Sequence, residues 1–385
     1  MVSSKNRIVL WARAAGRCQY DGCNEPLIGD LISGNDTLNA AYVAHVVAEN
    51  AKGPRGDAVR SPLLADDLSN LVLMCDRHHR LIDVEDVEGH PEARLLSMKA
   101  RHEARIDAVA DISPERSSHV VLYGARIGDH SFPVRFELAK CAMLPDRYPA
   151  ERQPITLDMS GVEFSDREQR YWDLQIENLC RQFERKLLER LRSGDIRHLS
   201  LFALAPQPLL IELGRLLSDI AAVDVYQLHR EPHEGWDWRE DKKPLAFQVI
   251  EPAGGGKVVA LKLAISATIT DERIVSVLPP TTSIWSLTLN GPGNDVVRRK
   301  SDLGAFRTAL RSVFDRIKAK HGEDAIIHLF PAAPVSVAIE VGRVWMPKAD
   351  LPLVVYDQRP ETGFIARNRI GVTRGATFPM ETIHA

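Results

Sequence analysis

LFALAPQPLLIELGR at residues 201–215 and LFPAAPVSVAIEVGR at residues 329–343 are one motif written twice, at a constant offset of 128 residues. Leu201 aligns with Leu329, Phe202 with Phe330, Pro206 with Pro334, Glu212 with Glu340, Gly214 with Gly342 and Arg215 with Arg343. The likeness extends outward: LRSGDIRHLSLF runs into the first copy and AKHGEDAIIHLF into the second, while VDVYQ and LVVYD follow them. Each copy therefore reads as a charged amphipathic helix, a glycine turn, a buried strand, a proline-containing loop, a helix and another strand. That alternation is the grammar of a parallel α/β sheet. Two copies predict a pseudo-twofold pair of small, doubly wound, Rossmann-like sheets.

In open α/β sheets, ligands bind beyond the carboxyl ends of the strands, where helix N-termini offer unpaired amides and a positive dipole. The loops APQP at 205–208 and AAPVS at 332–336 occupy that place, which makes Pro206, Gln207, Pro334 and Ser336 candidate ligand contacts. Facing copies would form one approximately twofold pocket suited to a small anion with repeated phosphates; the alternative is a merely apolar interface between duplicated scaffolds. Neither copy carries a G-x-G-x-x-G or G-x4-G-K-[ST] loop, and GGGK at 254–257 joins a turn to a strand, which disfavours ordinary dinucleotide and triphosphate cofactors. Between the copies lies HREPHEGWDWREDKKPLAF at 229–247. Its Trp236 and Trp238 suit base stacking, and its Arg230, Lys242 and Lys243 suit phosphate contact, unless the tryptophans simply pack an interface. Trp285 alternates with polar residues and reads as core.

The N-terminal hundred residues follow different rules. Cys18 and Cys23 form a C-x4-C pair in a turn-rich stretch, and Cys75 with His78 forms a C-x2-H pair about fifty residues later. Two such pairs meeting in space is how tetrahedral structural zinc sites are built. His45 in AAYVAHVVAEN reads as a strand residue, Asn70 opens the strand NLVLMC, and DRHHRLIDVED reads as a helix. Adjacent helical residues point about 100° apart, so with His78 facing zinc, His79 faces elsewhere and is placed for a second ion. A helix is expected from Asn6 to Ala15, capped by Ser4, another from Pro91 to Ala110, and a linker at 111–118.

AHVVA, SNLVLMC and CDRHH resemble the HNH endonuclease family with its ββα-metal finger, over about residues 5–105. The resemblance implies that His45 is the general base activating water, that Asn70 orients finger and base, and that His79 ligates a catalytic Mg2+ or other divalent ion. Many members carry Asp or His immediately before the base as a further ligand; here that position is Ala44, and Asp66, Asp67 or Asp83 are positional substitutes. The half from His119 onward resembles the SAVED domain, a fusion of two CARF-like units that binds cyclic oligonucleotides; the copies span 119–228 and 248–385. The whole chain resembles the HNH–SAVED effector nucleases of bacterial CBASS antiphage defence. This implies a cyclic di- or trinucleotide messenger from a partner cyclase, a homo-oligomer that is dimeric at rest and of higher order when active, and double-stranded DNA as substrate.

Charge is neutral on the matter. Residues 1–110 hold 13 Lys plus Arg against 16 Asp plus Glu, whereas duplex-binding modules are usually basic. Lys52, Arg55, Arg60, Arg77 and Arg80 are local phosphate-contact candidates or a solvated loop. No apolar run approaches the roughly 18 residues of a spanning helix, so a cytoplasmic protein without membrane contact is expected. Cys141 and Cys180 read as reduced thiols. Two rival readings stand: a ligand-responsive zinc-finger DNA-binding regulator, which leaves His45, Asn70 and His79 without a purpose, and a restriction-type nuclease whose C-terminal half reads modified DNA.

Overall fold

The computed structural model describes residues 2–30, 34–128, 133–158, 164–219, 222–239, 243–359 and 362–371. The chain divides into two compact units, Met1–Glu115 and Arg116–Ala385.

The first unit opens with α1 (Ser4–Arg13), capped by the Ser3 hydroxyl, which accepts from Asn6 N at 3.3 Å, and not by Ser4. The chain then reverses at Gly16, whose φ of +64° suits a residue without Cβ. An exposed ribbon of β1 (Ile28–Asp30) and β2 (Asn35–Asn39) precedes β3 (Ala41–His45). The short α2 (Arg60–Leu64) lies in the connection to β4 (Leu71–Cys75), which pairs antiparallel with β3 so that His45 faces Leu71 and Ala41 faces Cys75. Asn70 does not open the strand: it closes a 3-10 turn, Leu68–Asn70, capped by Asp67. Next come α3 (Asp76–Arg80), a π-helical turn over Leu81–Glu85, and α4 (Glu92–Ala110), for which Pro91 is the N-cap. Every residue of β4 is buried, and Leu10, Leu27, Ile82, Leu95 and Met98 join it in one core.

The linker expected at 111–118 is shorter than that. Pro114–Arg116 forms a 3-10 turn, and Ser117 and Ser118 already belong to β5 (Ser117–Gly124), because they pair with Tyr148 and Pro149 and buried Ser118 Oγ lies within hydrogen-bond distance of His198 and Ser200.

In the second unit, α5 (Phe136–Met143), β6 (Tyr148–Pro149), β7 (Ile155–Thr156), α6 (Gln169–Phe183), α7 (Glu189–Arg192), β8 (His198–Leu204), α8 (Gln207–Leu217) and β9 (Ala222–Val225) follow β5. Their strands form a parallel sheet in the order β6-β5-β8-β9, with β7 also on β5. The second sheet takes β10 (Phe247–Ile250), β11 (Val259–Ala264), β12 (Ser283–Leu289), β13 (Ile327–Ala332), β14 (Leu353–Arg359) and β15 (Gly363–Ile370), interspersed with α9 (Asp271–Val275), α10 (Lys300–His321) and α11 (Val335–Val344). Its order is β10-β12-β11-β13-β14-β15, parallel in the middle and antiparallel at both edges.

The duplicated motif is β8-α8-β9 and β13-α11-β14, and its two helices cross through the aligned glycines. A Cβ on Gly214 would lie 1.9 Å from Ile339 O, and one on Gly342 would lie 1.9 Å from Ile211 O. Only glycine permits that backbone approach. Beside the crossing, Arg215 Nε donates to Glu212 at 3.0 Å and Arg343 Nη1 to Glu340 at 2.9 Å, repeating the motif's Glu-x-x-Arg pair on each helix. The core runs continuously through both sheets, and Trp285 is fully buried in it as its alternation predicts.

Candidate functional site

In the first unit, Cys18, Cys23, Cys75 and His78 converge, their ligand atoms all within 4.8 Å of one another. Cys75 Sγ lies 3.1 Å and Cys18 Sγ 3.7 Å from His78 Nδ1, which identifies that nitrogen as the inward one. Gly22 (φ +78°) and Asn24 (φ +54°) fold the C-x4-C turn, and Tyr20 stacks flat on the His78 ring at 4.1 Å. Burial pushes the Cys18 thiol up to about 12 and raises Cys75, while burial lowers His78. Thiols so reluctant to ionise become thiolates only beside a cation, and three sulfurs with one imidazole are a donor set that zinc takes tetrahedrally. The residues fit the group.

His78 and His79 diverge as their helical spacing predicts. The His79 ring stacks on Tyr42 of β3 at 4.8 Å, and its Nε2 lies 3.3 Å from Asp83 Oδ2. Of the three carboxylates raised as substitutes for the missing ligand, only Asp83 comes to His79. Asp66 Oδ1 accepts from Ser3 N at 2.8 Å, and Asp67 caps the turn at Ser69 N, also at 2.8 Å. His45 ends β3 with Nε2 3.0 Å from Ala65 O. Buried Asn70 acts one step further on: Oδ1 accepts from Val47 N at 2.7 Å, and Nδ2 donates to Val47 O at 2.9 Å and Leu64 O at 3.1 Å. It fixes the loop leaving His45, not the imidazole itself.

Arg55 is not a phosphate contact. Its guanidinium points inward, with Nε on Val46 O (2.6 Å), Nη1 on Ile82 O (2.8 Å) and Nη2 on Asp83 Oδ1 (2.6 Å), tying the His45 loop to the His79 helix. Arg60 pairs with Glu92 and Arg80 Nη2 comes within 3.7 Å of Glu85 Oε1, while Lys52 and Arg77 are exposed cations.

The second unit holds a cavity of about 620 Å³ at the carboxyl ends of β8 and β13, where α8 and α11 begin. Of the candidate ligand contacts, Pro206, Gln207, Pro334 and Arg230 line it. Ser336 does not: it is fully buried, with its backbone N and hydroxyl both donating to Gln227 Oε1, at 3.1 and 2.6 Å. Trp236 is also a correction. It is buried edge-on against Phe202, because the segment after β9 folds back over that sheet and an indole is more cheaply dried than stacked in solvent. Trp238 packs partly buried beside Tyr226 and His229 and is likewise off the cavity wall. Lys242 lies outside the described residues.

The sequence reading missed the charged wall of this cavity. Asp357, Arg359 and Arg367 enter from the β14–β15 hairpin and Asp166 from the segment before α6. Arg359 Nη2 comes within 2.7 Å of Asp166 Oδ1, yet Nη2 and Nε donate no well-aligned hydrogen bond among the described residues, so this is a charge contact with donor capacity to spare. Burial pushes Asp357 up to about 6 despite the opposing pull of Arg359, and burial lowers Arg367. Period-two alternation in LVVYDQR was the available signal, since it sets Asp357 and Arg359 on one face.

Residues 179–370 match the family model for the SAVED domain, the SMODS-associated and fused to various effectors sensor domain. Residues 179–370, within the second unit, thus have a SAVED/CARF-like α/β fold. Among solved structures, the chain is similar to the Acinetobacter baumannii Cap4 SAVED/CARF-domain containing receptor with the cyclic trinucleotide 2′3′3′-cAAA, at 14% identity and a TM-score of 0.42, over 72% of this chain and 56% of that one. The same receptor with 3′3′3′-cAAA matches at 14% and 0.42, over 72% and 60%. The Moraxella osloensis Cap4 receptor matches at 13% and 0.41, over 72% and 58%. The chain therefore spans less than two thirds of the length of these receptors. No curated protein matches it.

Proposed function

We propose that the SAVED-type sensor of the second unit gates a metal-dependent HNH endonuclease in the first, and that the chain is an effector that cuts double-stranded DNA in antiphage defence when it receives a cyclic oligonucleotide. The observation that carries this reading is the coexistence in one chain of the Cys/His tetrad framing His45, Asn70 and His79, and a cavity at paired helix N-termini behind a SAVED match.

His45 is the base that takes a proton from the attacking water, and the Ala65 carbonyl 3.0 Å from Nε2 holds its ring. Asn70 keeps the following loop in register, and Arg55 fixes that loop to the helix bearing His79. Zinc held by Cys18, Cys23, Cys75 and His78 would supply the folding energy of this small frame. A divalent ion such as magnesium, when bound beside His79, would stabilise the charge that develops on the scissile phosphate and its leaving oxygen. Exposed Lys52 and Arg77, and Arg80 on leaving Glu85, would receive the flanking phosphates. In the sensor, the first amides of α8 and α11, those of Gln207 and Val335, and the guanidiniums of Arg230, Arg359 and Arg367 would take the phosphates of a cyclic oligonucleotide. Activation then requires only that the ring bind the assembled state more tightly than the resting one, a dimer passing to a higher-order oligomer.

The deciding experiment is plasmid cleavage in magnesium by the intact protein, alone and with a panel of cyclic di- and trinucleotides, beside His45→Ala. Cleavage confined to one ligand and abolished in the variant is the expected result. Cleavage without any ligand would favour restriction, and cleavage under no condition would favour a non-catalytic regulator.

A further inference from the structure

The cavity of the second unit is built from two copies of one motif, yet its two walls differ in one decisive group. Gln227 and Asp357 close the matched segments VDVYQ and LVVYD, so they are counterparts, and both line the cavity. Gln227 is committed to the fold: besides taking both Ser336 donors, it donates from Nε2 to Leu228 O at 2.7 Å. Asp357 accepts no side-chain hydrogen bond among the described residues; a backbone bond at Gln358 and the charges of Arg359 and Arg367 only partly offset its burial.

The β14–β15 hairpin aims this group. Asp357 pairs with Ile365 and Arg359 with Gly363, while the register slips between Val355, opposite Asn368, and Tyr356, opposite Ala366. Arg367 is therefore the extra residue of a β-bulge, a device that re-aims a side chain, and it joins Asp357, Arg359 and Ile365 on the cavity wall. The hairpin thus presents one carboxylate and two cations, with Gln358, Thr362 and apolar Ile365 beside them.

A carboxylate facing a polyanionic ring is repelled by its phosphates, so those must lie at the helix N-termini and arginines, and a donor-bearing part of the ligand must meet Asp357. Among the common bases, only guanine carries two adjacent donors, N1–H and N2–H, on its pairing edge. Adenine and cytosine set an unprotonated ring nitrogen beside the amine, and uracil sets its single N–H between two carbonyls. We propose that Asp357 is a specificity-determining residue that accepts both donors of a guanine edge, and that the activating ligand is a cyclic oligonucleotide containing at least one guanine. This rests on the reading that the cavity takes a cyclic oligonucleotide. Burial of the unpaired carboxyl costs energy in the empty protein, and two charge-assisted hydrogen bonds from a base would offset it.

The test is calorimetric binding to the intact protein of two ring-matched sets: cyclic tri-AMP against cyclic AMP-AMP-GMP and its inosine analogue, and cyclic di-AMP against cyclic GMP-AMP. The guanine-bearing member of at least one set should bind about 10- to 100-fold more tightly than the all-adenine member, the scale of one bidentate base contact. The inosine ring, lacking the exocyclic amine, should fall between. Asp357→Asn should erase the preference while the protein unfolds at no lower temperature. Equal or tighter binding of the all-adenine rings overturns the assignment, as does an Asn variant that keeps the preference or loses every ring equally. Binding of no ring at all overturns the sensing reading and this assignment with it.

Discussion

Gly214→Ala tests the helix crossing on which the cavity depends. The added Cβ would stand 1.9 Å from Ile339 O, and 3.1 Å from Arg343 N, against backbone atoms that cannot rotate aside. Ordinary carbon contacts are about 3.5 Å, so α8 and α11 must part by more than an ångström at a site where Leu210, Ile211, Leu213, Val337, Ala338 and Ile339 are fully buried. Overpacking of that kind costs about 1–3 kcal/mol, and the loss of apolar contact along the parted helices puts this case at the upper end. Alanine's better helix propensity returns about 1 kcal/mol, for a net loss near 2 kcal/mol. Gly342→Ala, with its Cβ 1.9 Å from Ile211 O, should cost a similar amount. Because one substitution already separates the helices, the double variant should lose clearly less than the sum of the two. Urea unfolding of the intact chain, followed by the fluorescence of buried Trp172 and Trp285 in the second unit, measures all three. A neutral or stabilising Gly214→Ala, or strict additivity, would refute the close crossing.

Asp357 makes stability depend on pH. Its carboxyl is lifted from 3.8 to about 6 by burial, so the protonated form favours the folded state; that stability is full below pH 3.8 and lost as pH rises through about 6. At 1.36 kcal/mol per decade the gap is ~3 kcal/mol, so Asp357→Asn should stabilise the protein by up to that amount at pH 7–8 and by nothing near pH 4. A denaturation series across that range checks it, and a pH-independent difference would contradict it. Zinc analysis should find one equivalent per chain, and a strong chelator should unfold the first unit while the second keeps its helical and sheet signal, with Cys23→Ser reproducing the loss. Arg55→Ala should cost about 3 kcal/mol, the scale for breaking a buried ion pair, because it strands Asp83 and the carbonyls of Val46 and Ile82. Thermal unfolding reads that loss, and a change under 1 kcal/mol would return Arg55 to the surface role its sequence position suggests.

Sequence alone determined what depends on local pattern and short spacing. The offset copies carried the parallel βαβ units, since strand burial and helix periodicity are written in consecutive residues. The C-x4-C and C-x2-H pairs carried the tetrad, because each fixes its own turn. The divergence of His78 and His79 followed from helical geometry. Tertiary structure decided the rest, where a side chain's fate depends on what arrives from far along the chain. Arg55 reads as a loop cation until the Leu81–Glu85 turn brings Asp83 and the Ile82 carbonyl to it. Trp236 reads as a stacking platform until Phe202 dries it, and Ser336 reads as a ligand contact until Gln227 consumes both its donors. The charged wall of Asp357, Arg359 and Arg367 exists only once β15, which lies beyond the repeat, pairs with β14 beside the cavity and its bulge turns Arg367 inward. The repeat specifies a symmetric frame because the same residues fold the same way; the environment of each copy, which no repeat encodes, makes the cavity unequal.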